Sequence, residues 1–187
     1  KKMGENRIKL VAADMDGTLL NRERKITKYT QDVIKKAMAQ GVYFVPATGR
    51  AVNALPPELK EMEGIRYGIF SNGATIYDLK EEKVIYKNHF EMDRVLELMD
   101  FLKQFDLMES ISLNGQSYAN KKEMENIDYY ELDSNTKAIV QGSRVLVDDL
   151  EMFVKEQSTT VEKTTLLFKT MEERQRAADA LSKIEDI

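Results

Sequence analysis

Residues 8–20 read Ile-Lys-Leu-Val-Ala-Ala-Asp-Met-Asp-Gly-Thr-Leu-Leu, and the fold turns on this stretch. Ile8 to Ala13 is an apolar run of strand length, and Asp14-Met15-Asp16-Gly17-Thr18 stops it with acidic and turn-forming residues. Thr27 then suits a helix N-cap, and Val33, Ile34, Ala37 and Met38 recur at the spacing of one helical face. Gly41 stands where a left-handed helix end belongs, before the apolar run Val42-Tyr43-Phe44-Val45. Strand, helix, strand within fifty residues predicts a βαβ unit, with parallel strands buried on both faces.

Outward from that unit, Pro56-Pro57 interrupts or restarts a helix running to about Met62. Tyr67 to Phe70 predicts a third strand, closed by Ser71-Asn72-Gly73. Thr75-Ile76-Tyr77 and Val84-Ile85-Tyr86 then predict an antiparallel hairpin. A helix is expected over 91–106, with Val95, Leu98, Met99 and Leu102 on one side. Ile111 to Leu113 meets Asn114-Gly115, a strong hairpin signal, and Gln116 to Ala119 returns. Further expectations are a polar helix over 121–132, a strand near 137–140, a helix over 148–157, a strand over 164–168 and a helix over 172–183. This predicts a first domain at 7–88 and an α+β domain at 89–187.

The 187 residues carry a net charge of −4 and 42 % hydrophobic residues, a balance that suits a globular fold. Absence of cysteine removes disulfides, thiolate metal sites and cysteine nucleophiles. One histidine, His89, cannot build a histidine metal cage and reads as a linker or surface residue. The slight acidic excess argues against a nucleic-acid partner, and no apolar run approaches a membrane span. No signal-peptide pattern follows Lys1-Lys2, so a cytoplasmic setting is expected.

Parallel α/β sheets hold ligands beyond the carboxyl ends of their strands. There the first strand delivers Asp14 and Asp16, the second Thr48, Gly49 and Arg50, and the third Ser71 and Asn72. Two carboxylates two positions apart share a face if the segment is extended, and their repulsion raises one pKa or recruits a hard divalent cation. One could then attack phosphorus while the other exchanges protons. The pair alone reads equally as an acidic turn that ends a strand.

The longer string is more specific. Asp14-Met15-Asp16-Gly17-Thr18-Leu19-Leu20 resembles the first signature of the haloacid dehalogenase-like phosphohydrolases. Ala47-Thr48-Gly49-Arg50 resembles the second signature of the Cof-type subgroup, as does Ser71-Asn72-Gly73-Ala74 followed by a hairpin. The resemblance implies an α/β fold with a Rossmann-like parallel sheet core, of which only the N-terminal part is present, and an inserted α+β cap domain. It implies Mg²⁺ as cofactor and small phosphorylated metabolites, often sugar phosphates, as substrates. Asp14 would be nucleophile and metal ligand; Asp16 would be general acid/base and offer its backbone carbonyl to the metal. Thr48 would hydrogen-bond the phosphoryl group and Gly49 leave room for it. Arg50 either meets substrate or fixes the following helix, and Asn72 either meets substrate or shapes a tight turn.

The family pattern also includes a later lysine and a Gly-Asp-x-x-Asn-Asp stretch. No Gly-Asp-x-x-x-Asp occurs in this sequence, and Asp148-Asp149 lies in the cap-like part. The chain is therefore expected to be part of a longer polypeptide that ends within the cap. Its first strand is expected to be an exposed edge, and the piece alone unstable, partner-dependent or domain-swapped. Three other readings stand beside the hydrolase: a phosphosugar mutase, an inactive fragment, and a phospho-accepting signalling domain. The last is disfavoured because the acidic pair and Gly17-Thr18-Leu19 lie together.

Overall fold

The computed structural model describes residues 8–184. They fall into two compact units, one within Lys1–Asn88 and one within His89–Ile187.

In the first unit, β1 (Leu10–Asp14) leads through a turn to α1 (Lys28–Ala39), then β2 (Tyr43–Ala47), the single-turn α2 (Pro57–Lys60), β3 (Tyr67–Phe70), β4 (Thr75–Asp78) and β5 (Lys83–Lys87). The sheet order is β1-β2-β3-β4-β5, parallel across the first three strands and antiparallel beyond. Thr27 does cap α1, its hydroxyl accepting from Thr30 N at 3.2 Å. The hairpin turn is fastened by Asp78, whose Oδ1 accepts from Lys80 N and Glu81 N, each at 3.0 Å. Arg66 Nε donates to the other carboxylate oxygen at 3.0 Å; against its burial, the Glu81 N–H first, then Arg66 and the Lys80 N–H, hold the Asp78 pKa below the ordinary carboxylate value.

The core of this unit gathers Met15, Leu20, Ile34, Phe44, Leu59 and Phe70. Two expectations differ from what is observed. The first strand is not buried on both faces: Leu10 is 55 % exposed and Val11 37 %, because among the described residues β1 pairs only with β2 and stands at the sheet edge. Val33 is also exposed, since the inward row of α1 runs through Ile34 and Met38, one step around the helix.

The second unit contains α3 (Met92–Leu102), β6 (Leu107–Leu113), β7 (Gln116–Asn120), α4 (Lys121–Glu125), α5 (Ser134–Ser143), β8 (Arg144–Val147), α6 (Leu150–Lys155), β9 (Lys163–Phe168) and α7 (Met171–Leu181). Its sheet runs β8-β7-β6-β9. Asn114 and Gly115 both take positive φ, at 49° and 75°, as a tight two-residue hairpin requires. One sheet face packs Ile111 and Leu113 on Val95, Met99, Leu150 and Val154, and farther along sets Leu166 and Phe168 on Leu98, Leu102 and Ala177. The opposite face packs Met108 and Ala119 on Met124, Ile127, Tyr130 and Val140.

The strand expected near 137–140 is a helix instead. Asp133 Oδ1 accepts from Asn135 N and Thr136 N, each at 3.0 Å, so the N-cap starts α5 and carries it through the β-branched Ile139 and Val140. The strand lies just after, at β8, and joins β7 in parallel. The polar helix expected over 121–132 is broken into α4 and a 3₁₀ turn at Ile127–Tyr130. Asp149 of the acidic pair is the N-cap of α6, accepting from Met152 N at 2.9 Å. His89 Nδ1 lies 2.9 Å from Thr160 Oγ1, within the second unit.

Candidate active site

The site is built by register. Asp14 pairs with Ala47 and Ala47 with Ile69, so β1, β2 and β3 end on one line. Beyond it the loops tie to each other: Thr48 N donates to Ile69 O at 2.9 Å, Ser71 N to Arg50 O at 2.9 Å, and Asn72 N to Thr48 O at 3.2 Å. Ser71 and Asn72 both take positive φ, 51° and 60°, which turns the chain back over the strand ends.

A pocket of about 390 Å³ opens there, lined by Asp14, Ala47, Thr48, Gly49, Ile69, Asn72 and Gly73. Thr48 is buried, and its Oγ1 accepts from Arg50 N at 3.1 Å, which leaves the hydroxyl proton to give elsewhere. Among the described residues, the Asp14 carboxylate has only a long contact, 3.4 Å, from Thr18 Oγ1. At Gly49 an added Cβ would fall 2.4 Å from Asn72 Oδ1, so a side chain here would displace the asparagine amide. Ala47, Ile69 and Gly73 also line the pocket; Ala47 and Gly73 fall within the two strand-end motifs, and Ile69, an apolar strand residue, carries no sequence signal of its own beyond its place near a strand end.

Asp16 and Arg50 are placed differently from the other four expected residues. Asp16 keeps an extended backbone, φ −76° and ψ 116°, and the chain turns just after it, through Gly17 at φ 81°. Arg50 takes both Asp16 oxygens, Nε to Oδ2 at 2.9 Å and Nη2 to Oδ1 at 2.7 Å, and its Nη1 donates to Ala54 O at 3.2 Å. Neither residue is among those lining the pocket.

This arrangement bears on Mg²⁺. A hard cation needs carboxylate oxygens that are open to it. The guanidinium clasps the Asp16 carboxylate, which leaves the Asp14 carboxylate and the Asp16 backbone carbonyl as the expected donors, and no group of three His, Asp or Glu side chains suited to a metal exists among the described residues. Those two donors do not by themselves complete the oxygen shell of a Mg²⁺ ion.

Three parallel strands of a five-stranded sheet, with an aspartate and a threonine at their ends around one pocket, define an α/β fold. The chain belongs to the haloacid dehalogenase-like hydrolase family, whose model matches residues 11–185. It is 38 % identical over 121 residues to a phosphatase-named protein of Buchnera aphidicola subsp. Schizaphis graminum, a match covering 63 % of this chain and 43 % of that relative. The matched chain thus spans less than half of that relative's length. Among solved structures it resembles a haloacid dehalogenase-like hydrolase from B. subtilis, with TM-score 0.77 at 20 % identity over 96 % of this chain and 68 % of the other. It also resembles the subclass IIB sugar phosphatase BT4131, with TM-score 0.69 at 21 % identity over 95 % of this chain and 65 % of the other. At those identities the two structures speak for the fold. Among the described residues no helix is long and apolar enough to cross a membrane.

Proposed function

We propose that this chain carries the nucleophile of a cytoplasmic phosphomonoester hydrolase that acts on small phosphorylated metabolites such as sugar phosphates. The observation that carries the reading is the pocket at the strand ends, where Asp14 and Thr48 line one opening. Family membership and the phosphatase-named relative support it, and the fold likeness to a sugar phosphatase motivates the substrate class.

In this reading an Asp14 oxygen attacks phosphorus, a new P–O bond forms, and the bond to the departing alkoxide breaks. The Thr48 hydroxyl, already accepting from Arg50 N, donates its proton to a phosphoryl oxygen. Asp16 gives a proton to the leaving oxygen and later takes one from the water that attacks the acyl phosphate, regenerating Asp14. For either transfer one Asp16 oxygen must first come free of Arg50. Asn72 borders the pocket and is assigned to phosphoryl or substrate contact, as is Gly49 through its backbone. Arg50 serves Asp16 rather than the phosphoryl group. Mg²⁺ as cofactor rests on family membership.

The second unit takes the part of the substrate-selecting cap, residues 89–187 against a core of 7–88. The test is turnover of a panel of phosphorylated metabolites by the protein that carries this chain. Asp14→Asn should reduce it to background, and Thr48→Ala should lower kcat about 10²-fold or more. Undiminished turnover in Asp14→Asn would overturn the assignment.

A further inference from the structure

In the second unit, one row across the sheet has an unusual composition. Arg144 of β8 is in register with Ser117 of β7, Ser117 with Ser112 of β6, and Ser112 with Lys163 of β9. Residues paired directly in a ladder project from the same face, so four strands present cation, hydroxyl, hydroxyl, cation side by side. This is the face whose other end carries Met108 and Ala119 beneath α4 and α5. The apolar cluster there includes none of the four.

The two hydroxyls are joined, Ser112 Oγ to Ser117 Oγ at 2.7 Å, and both serines are buried. Since one must donate to the other, the accepting hydroxyl keeps its own proton to give. Arg144 anchors one end: its Nη1 donates to Ser143 Oγ at 2.6 Å, while its Nε is buried without a hydrogen-bond partner. A buried guanidinium N–H with nothing to bond is costly unless a ligand supplies the acceptor. The outer residues of the row are about 14 Å apart at the backbone, three strand spacings, a gap that two long side chains on one face can span. Their mutual field is evident, for burial and then the Arg144 guanidinium push the Lys163 pKa down, with Glu162 opposing. Burial lowers that of Arg144.

We propose that the row Arg144–Ser117–Ser112–Lys163 is a binding site for a phosphate-class oxyanion. The guanidinium and the ammonium neutralise the charge from opposite sides, and the serine hydroxyl between them donates to a third oxygen. A tetrahedral dianion presents oxygens in those three directions. A planar carboxylate would use the arginine fork and leave the rest unmet. The inference does not depend on the role assigned to Asp14, which lies in the other unit.

The test is a titration of the 187-residue chain with inorganic phosphate, followed by backbone amide NMR, with methylphosphonate as a second probe for a phosphoryl group carried on carbon. Saturable shifts at Ser112, Ser117, Arg144 and Lys163 are expected, separate from any at Thr48 and Gly49. Arg144→Gln should weaken the first set about tenfold or more and leave the second unchanged. If Arg144→Gln fails to fold, Lys163→Gln, whose side chain is partly exposed, should produce the same selective loss. Response to phosphate alone would mark a free-anion site, and response to both probes a site that reads phosphoryl groups generally. Shifts confined to Thr48 and Gly49, or a second-unit response unchanged in both variants, would overturn the proposal.

Discussion

Arg50 holds Asp16 by both carboxylate oxygens, at 2.9 and 2.7 Å, across 34 positions of sequence. The guanidinium is itself held by Ala54 O, so the loop after β2 fixes the turn after β1. The Arg50 side chain is 15 % exposed and that of Asp16 43 %, which puts the pair at the rim of the fold rather than in its core.

Its contribution to stability should therefore be small. Arg50→Ala is expected to cost about 1 kcal/mol or less, since half-exposed ion pairs are screened by solvent. Urea unfolding at low and at high salt checks this: the gap between wild type and variant should narrow as salt rises. A loss of several kcal/mol would mean the pair is far more shielded than its exposure indicates.

At Gly49 the neighbour that would meet a new Cβ is the tip of the Asn72 side chain, 2.4 Å away. Because a side-chain amide can rotate, Gly49→Ala should cost only about 1 kcal/mol while displacing Asn72 from the pocket it lines. In a double-mutant cycle with Asn72→Ala the two costs should fall short of additive, read by urea midpoints. Strict additivity would show that the two side chains do not compete for space.

Gly68 faces a harder neighbour. A Cβ there would lie 2.4 Å from Phe70 Cε2 and 2.5 Å from Cζ, and Phe70 is fully buried. The ring has nowhere to go, so Gly68→Ala should destabilise by about 1–3 kcal/mol and lower Tm by several degrees. Phe70→Leu in the same chain should recover part of the loss.

Glu109 is buried on β6 with Oε1 lacking a hydrogen-bond partner, and burial, then Glu123 and Glu151, raise its pKa from 4.5 to about 7. An acid whose folded pKa is raised binds its proton more tightly when folded. Stability is thus highest below the unfolded value, falls as pH rises, and levels off above about 7. The total loss over that window is on the order of 3 kcal/mol, at 1.36 kcal/mol per pH unit. Glu109→Gln should flatten the dependence between pH 5 and 8 in thermal unfolding; an unchanged slope would assign it to another group.

The sequence alone determined the elements whose signals are local. The stop at Asp14, the N-cap at Thr27 and the Asn114-Gly115 turn each act within a few residues, and each stands where it was expected. The strand-end motifs followed, because strand ends in a parallel sheet are ligand positions by topology. Tertiary structure decided what depends on a distant partner. The pairing of Asp16 with Arg50 is one such outcome. The Arg144–Lys163 row, assembled from four strands, is another. Local competition was decided there as well: Asp133 captured residues 134–143 for a helix although Ile139-Val140 favours a strand. Local hydrogen bonds and turn geometry are written in neighbouring residues, whereas charge pairing and register are set by which segments the fold brings together.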